Sequence, residues 1–441
     1  MKDVMKIWVG VSALLLSVGS LLYGQAVPNT TISSTGSNSS GFPLDGTLHY
    51  AMTASEIVQF GFYGSGETTS SSNLSGDAAY TSKSETKPFS MLLAGGVLLP
   101  NGQGQGTYTY WNAAVTQGYI TRRWAFNISD SFSFLPQSPT VGLSGIPGVG
   151  DLGALPVQGP AQGPGGGVLT YAGNRFVNQV SGSVERQLGP ATSISGAGSW
   201  SIIHFTNDNA GLDSSGETGS VALNRRLDAR SSASVDAVYS TYGYGDSGLS
   251  LGYPDFQTKG INLSYQRLLS RGLSVSVSGG PLWISSSDSA LVPSRLSAAA
   301  SASLSYTHKL TSMALGYNRG ANAGSGALGA TLSDNVFASI GHTYGRKWVL
   351  SADAGYTHST SLSQFLLVGS PVQLNQAFQT AFAGVQLTRG FGLHWSGYAS
   401  YSVQHQSSAY SVMTQNAFIG TSQAIGIGIT FTPRSTRLGQ F

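Results

Sequence analysis

The sequence contains no cysteine, which excludes disulfide frameworks, thiolate metal sites, a cysteine nucleophile and lipid anchoring through cysteine. Charge is scarce too: Asp, Glu, Lys and Arg make up 9% of the 441 residues, against about 25% in soluble globular proteins. The formal net charge of +3 is small and dispersed, so the basic footprint of a nucleic-acid-binding protein is missing. Long hydrophobic runs are missing as well, apart from Ile7 to Leu22. A mean hydropathy of +0.02 leaves no room for a bundle of apolar spanning helices. Disorder is excluded from the other side. Hydrophobic residues reach 40% and aromatics 10%, enough to bury apolar surface.

What is present starts with a positively charged, then apolar, N-terminus. Lys2 and Lys6, the Ile7–Leu22 run and the small-residue site Gly24-Gln25-Ala26 read as a secretory signal peptide over residues 1–26. The alternative is a retained anchor helix, but the run is short of the roughly 20 residues that a span requires. Residues 27–46, rich in Ser, Asn, Thr and Gly, read as a flexible periplasmic lead-in. Residues 47–441 then read as one transmembrane unit.

That unit repeats one phrase: alternating apolar and small polar residues, a tight basic turn, more alternation, a long loop. The tight turns include ERQLGP at 185–190, NRRLDAR at 224–230, QRLLSRG at 266–272, THKLT at 307–311, YGRK at 344–347 and LTRG at 387–390. The loops between them are longer and rich in Gly, Ser, Asp and Pro. Alternation is clear in 295–308, where Leu296, Ala298, Ala300, Ala302, Leu304 and Tyr306 interleave with Ser297, Ser301, Ser303, Ser305 and Thr307. It recurs in 391–404 and in 424–431. The pattern predicts an all-β fold: a single antiparallel up-and-down barrel of about 18 strands, with 16 as the alternative count. The list begins with 48–63 and includes 311–320 and 374–388. So wide a barrel cannot fill its interior with apolar side chains, so the apolar face looks outward into lipid. Trp124, Trp348, Trp395, Tyr265 and Tyr306 flank the basic turns and form a candidate interfacial girdle. Glu56, Asp130 and Asp334 fall on lipid parity, which predicts a bulge or a register shift near each.

These basic turns, the alternation and the aromatic edges resemble the porin-like outer-membrane β-barrels of Gram-negative bacteria. The resemblance covers roughly residues 47–432 and singles out no subfamily. It implies residence in outer-membrane lipid, reached through the barrel-assembly machinery, with homo-oligomers as a further option. Such barrels usually end on an aromatic that the insertion machinery reads, and Phe431 and Phe441 are the two candidates. The resemblance also implies that a third long loop narrows the pore. Here that loop is 135–172, whose Gly and Pro content forbids strand and helix. Leu143, Ile146, Asp151 and Leu152 are its candidate constriction residues, three of them apolar and so ill-suited to full solvation.

The predicted inner face is mostly Ser, Thr, Asn, Gln and Gly. Candidate pore-lining residues are Glu185, Asp236, Asp353, Ser301, Ser303, His394 and Gln404, with Arg186 and Lys83 as further inward charges. No ring or ladder of one sign is visible, as charge selectivity requires. The expected function is passive diffusion of small polar, mainly uncharged solutes. A closed barrel with adhesive loops is the alternative. A rim-located hydrolase comes third, with His204, Asp208 and Asp213 as its nearest cluster. No catalytic, cofactor or metal motif stands up. GLSLG at 248–252 lacks a strand-to-helix elbow, and GSGALG at 324–329 lacks the following helix and acidic residue. A secreted β-solenoid would repeat every 20–30 residues without two alternating turn types.

Overall fold

The computed structural model describes residues 46–441 except 62–67, 102–106, 137–173, 207–212, 246–253, 325–328, 346, 364, 367–372, 375–376, 409–418, 435 and 439–441. The strands are β1 (Gly46–Phe60), β2 (Thr68–Ser82), β3 (Phe89–Pro100), β4 (Tyr108–Ile120), β5 (Trp124–Pro136), β6 (Asn174–Gln187) and β7 (Thr192–Phe205). They continue as β8 (Ser214–Arg226), β9 (Ser231–Tyr244), β10 (Phe256–Ser270), β11 (Leu273–Ser286), β12 (Arg295–His308), β13 (Thr311–Asn322), β14 (Thr331–Tyr344) and β15 (Trp348–Ser361). A two-stranded ribbon, β16 (Phe365–Leu366) and β17 (Gln373–Leu374), precedes β18 (Ala377–Gly390), β19 (Trp395–Ser408), β20 (Gly420–Phe431) and the short β21 (Thr436–Leu438).

Each barrel strand pairs antiparallel with its sequence neighbour, β15 joining β18 across the ribbon. β20 then pairs with β1, from Phe431↔Met52 to Gln423↔Phe60, which closes the barrel at eighteen strands. β21 continues beside the overhanging start of β1, with Leu438 opposite Gly46. Among the described residues closure gives each of the eighteen strands a partner on both sides.

The two faces separate as the alternation predicts. Leu296 is 65% exposed, Leu263 63% and Ile427 59%, all on the outer face. Large apolar side chains exposed in a continuous belt mark a surface made for hydrocarbon rather than water. Ser301, Ser303 and Ser305 point the other way, each opposite a serine of β11. Architecturally this is a closed antiparallel barrel with an apolar outer belt, tight turns at one end and longer loops at the other.

At the short-turn end the girdle rings lie outward and two of them carry a guanidinium. Arg186 sits 5.1 Å from the Trp124 ring and Arg389 4.9 Å from the Trp348 ring, each a cation–π contact. Arg186 therefore faces outward, not inward as its place in the turn suggested. Trp124 lies opposite it, and the two strands hold both on one face.

The bulges expected at Glu56, Asp130 and Asp334 are not there: the ladders on both sides of each run in unbroken register. The charges stay on the outer face and are partnered instead. Glu56 accepts from Ser72 Oγ and Asn101 Nδ2, each at 2.7 Å. Asp130 accepts from Asn178 Nδ2 at 2.8 Å. Asp334 pairs with Arg319. Irregularity occurs elsewhere, between Leu268 and Ser270, and where Pro281 interrupts the β10–β11 rungs. Proline has no N–H to give a ladder.

Candidate functional site: the lumen and its mouth

The inner face is built from short hydroxyl and amide side chains that the pleat turns inward and the ladder then sets side by side. Ser274–Ser305, Ser276–Ser303 and Ser278–Ser301 form three successive hydroxyl pairs at 2.6, 2.7 and 2.6 Å across β11 and β12. Ser129–Ser181, Thr53–Thr430 and Ser333–Ser359 repeat the device elsewhere. Each pair satisfies part of its hydrogen-bonding capacity within the wall and leaves lone pairs for water or solute. Ser303 is exposed although it lies inside the barrel. At this level the bore has room for water beside the wall.

The other candidate lining residues divide by height. Asp236 is buried on the inner face, its Oδ2 accepting from Asn262 Nδ2 at 3.0 Å while Oδ1 has no partner. Asp353 lies half-buried opposite Gly384, where a β-carbon would come within 2.9 Å of its Oδ1. Glycine at 384 makes the space for that carboxylate. Glu185 is half-buried near the short-turn end, opposite Ala125. Gln404 is buried toward the long-loop end, with Nε2 unpartnered. His394 belongs to the turn before β19, its Nδ1 3.3 Å from the Thr432 carbonyl, so it sits at the rim. Lys83 is in a turn as well, just past β2.

Three inward charges escaped the sequence reading. Asp77, Arg175 and Arg295 lie on inner-face parity, opposite Ala94, Phe205 and Ile284. Asp77 and Arg175 are buried, and isolated charges give no periodic signal in a strand. With them the lining remains a scatter of both signs.

The mouth at the long-loop end is different. Phe256, Leu282, Ile284, Val292, Ala330, Leu332 and Leu362 form one buried apolar cluster, with Tyr242, Tyr244, Ala299 and Ala321 against it. Phe256, Leu282, Ile284 and the two tyrosines are inner-face residues of β9 to β11. Ala330 and Leu332 come from the end of the β13–β14 hairpin, which therefore lies inside the mouth. Tyr242 donates its hydroxyl hydrogen to the Ala321 carbonyl at 3.3 Å, and Tyr244 to the Ala323 carbonyl at 2.9 Å. The Ala330 N–H donates back to the Tyr244 hydroxyl at 2.5 Å.

Around this hairpin the described inner-face side chains are withdrawn from solvent. Thr331, Ser333 and Ser359 are buried, as are Phe378, Thr380, Gln406 and Ser422 on the neighbouring wall. The expected constriction residues Leu143, Ile146, Asp151 and Leu152 lie outside the described residues. Among the described residues the β13–β14 hairpin occupies part of the mouth, against β9 to β11, and its short sequence gave no sign of that.

At the rim His204 Nδ1 lies against Asp213 Oδ2, and Asp213 Oδ1 accepts from the Phe205 N–H at 2.8 Å. This pair ties the end of β7 to the start of β8, while Asp208 lies outside the described residues. Among the described residues no three His, Asp or Glu side chains gather as a metal site would require.

No family model matches the sequence, and no curated protein does. Solved structures do match. OpdQ of Pseudomonas aeruginosa is 9% identical, covering 88% of this chain and 99% of that one, at a TM-score of 0.39. OccK2 (OpdF) of the same organism, in complex with glucuronate, is 10% identical over 89% of this chain and 100% of that one, at 0.43. The siderophore receptor PirA, also from Pseudomonas aeruginosa, is 10% identical over 88% and 80%, at 0.40.

Proposed function

We propose that this protein is an outer-membrane channel that lets small polar, mainly uncharged solutes diffuse through its lumen. The observation that carries the reading is the inner wall of paired hydroxyls between β11 and β12, with Ser303 exposed to solvent within a closed eighteen-stranded barrel. Hydroxyls and amides exchange hydrogen bonds with sugars or water at similar energy, so a solute passes without a deep trap. The inward charges are of both signs and scattered along the sequence, Asp77, Glu185, Asp236 and Asp353 against Arg175 and Arg295. Such a lining supports weak ion selectivity.

The same reading includes export by residues 1–26 with cleavage after Ala26, insertion by the barrel-assembly machinery, the short turns in the periplasm and the long loops outside. N-terminal sequencing of the membrane-extracted protein should return Val27. Liposomes carrying the purified protein should swell in isotonic neutral sugar, and planar bilayers should show steps of weak ion selectivity. The buried mouth residues favour a second reading, a closed barrel whose loops face outward as an interaction surface. Absence of both swelling and current would select it.

A further inference from the structure

The barrel wall has a split that the β13–β14 hairpin explains. The β12–β13 ladder runs from His308↔Thr311 to Ala300↔Arg319 and stops, although β12 reaches up to Arg295 and β13 on to Asn322. Above that rung the two strands part company. β12 stays on β11 as far as Ile284↔Arg295, while β13 stays on β14 as far as Asn322↔Thr331. The flanks of the hairpin, at Ala321 and at Ala330 and Leu332, have gone inward, and Leu362 N–H follows them by donating to the Ala330 carbonyl at 2.7 Å.

Parity shows how these flanks sit. Ala321 and Leu332 share the outer-face parity of Arg319 and Asp334, yet they pack on Phe256, Leu282 and Ile284, which are inner-face residues. The lip formed by β13 and β14 is therefore tucked beneath the lip formed by β9 to β12. Its outer face covers their inner face. Gly320 sits where the tuck begins, with open space around it, and glycine is the residue that bends at least cost. Just below, Arg319, Asp334 and Tyr317 clamp β13 to β14.

We propose that the ends of β13 and β14 above the Arg319–Asp334 pair form a hinged flap with two positions. Tucked in, it occupies the mouth and is held by the apolar cluster and the two tyrosine hydroxyls. Swung out, it continues the existing register on β12, bringing Gly320 opposite Ala299, Ala321 opposite Ala298 and Asn322 opposite Ser297. Those three rungs use backbone groups that now lack a ladder partner in the neighbouring strand. The swung-out position also returns Ala321 and Leu332 to the membrane-facing side, where apolar residues are at home. Leu282, Ile284 and Phe256 would then meet water, which makes the tucked position the resting one. Both positions are thus discrete packed arrangements rather than a continuous range. This flap deepens the channel reading and rests on it, because it would regulate flow through that lumen.

A chain without cysteine allows a direct test. The pair Ser297→Cys with Asn322→Cys lies three rungs beyond the last formed rung, Ala300↔Arg319, so its disulfide requires the β12–β13 ladder to extend to that level. Oxidation in native membranes should yield the cross-link, detected by mass spectrometry after proteolysis. The cross-linked channel should conduct more in planar bilayers, and reductant should reverse the gain. Tyr244→Phe, which keeps the ring and removes the hydroxyl, should speed cross-linking and raise conductance by itself. If no cross-link forms in either background, the flap does not move and the proposal fails. A cross-link that leaves a conducting channel unchanged overturns the flap alone. One that forms while current and sugar swelling are both absent overturns the channel reading as well.

Discussion

Arg319 and Asp334 stand opposite one another on β13 and β14, with Arg319 Nη1 at 2.9 and 2.8 Å from the two carboxylate oxygens. The Tyr317 hydroxyl donates to the same carboxylate at 2.7 Å. This is an ion pair on a surface otherwise made for lipid, partly shielded and placed near the long-loop end. Removing one partner leaves a lone charge there. Asp334→Ala should destabilise the folded barrel by about 1–2 kcal/mol, since unpaired charges on the lipid face are costly toward the midplane and cheap near the interface. Replacing both, Arg319→Leu with Asp334→Leu, should cost less than the single change, because apolar replacement of a pair is often neutral. Urea unfolding in detergent micelles measures the difference. A double variant worse than the single one would show that the pair contributes more than it costs.

Asp130 poses the sharper version of this question. It is exposed on the outer face near the middle of β5, opposite Val115 and Val180, and Asn178 supplies a hydrogen bond. Asp130→Leu should stabilise the barrel by about 1 kcal/mol in lipid, the lipid-face cost of a carboxylate being smaller than that of a basic residue. Asn178→Leu should do the reverse, since the carboxylate then loses its donor. Unfolding in bilayers of defined thickness decides it. Loss of stability on Asp130→Leu would mean that another group covers this face in the membrane.

Much of the barrel was legible because its alternation is local. β12 runs over Arg295–His308, the segment that the spacing of Leu296, Ala298, Ala300 and the intervening serines predicts. Strand ends were less legible: β13 continues to Asn322 rather than stopping at 320, and β18 begins at Ala377 rather than 374. The ribbon of β16 and β17 and the short β21 carry too few residues to show a period. The mouth was illegible for a different reason. Leu332 and Ala321 carry ordinary lipid parity, yet both join the apolar cluster of Phe256, Leu282 and Ile284, and the tyrosine hydroxyls that bond the Ala321 and Ala323 carbonyls lie 79 residues away in sequence. Likewise the partners of Glu56 and Asp334 follow from strand register, which composition and periodicity leave open.

The lumen reading makes a selectivity prediction. Ser276 and Ser303 face one another on the inner wall with their hydroxyls 2.7 Å apart, and Ser303 is exposed. Ser276→Asp with Ser303→Asp places two carboxylates at one level of the bore, the beginning of a ring of single sign. Reversal potentials across a salt gradient should shift toward cation selectivity, while Ser276→Asn with Ser303→Asn should leave them unchanged. An unaltered reversal potential in the aspartate pair would mean that ions do not pass this level.

The turn between β8 and β9 gives a prediction in pH. Asp228 Oδ1 accepts from the Arg230 and Ser231 N–H groups at 2.6 and 2.8 Å, and Oδ2 from the Ser231 hydroxyl at 2.6 Å. The Ser231 hydroxyl first, then the Arg230 N–H, hold this carboxyl below its ordinary range. A lowered folded pKa means that the unfolded chain takes up the proton first. The carboxylate's contribution is therefore fully present above the ordinary Asp value and disappears as pH falls through the lowered one. Asp228→Ala should lower the thermal midpoint at neutral pH, read from heat-modifiable migration or circular dichroism in detergent. The gap to the parent protein should close as the pH falls through the lowered value, below which both lack the charge. A gap that persists unchanged into acid would assign the effect to the side chain's shape in the turn rather than to its ionised hydrogen bonds.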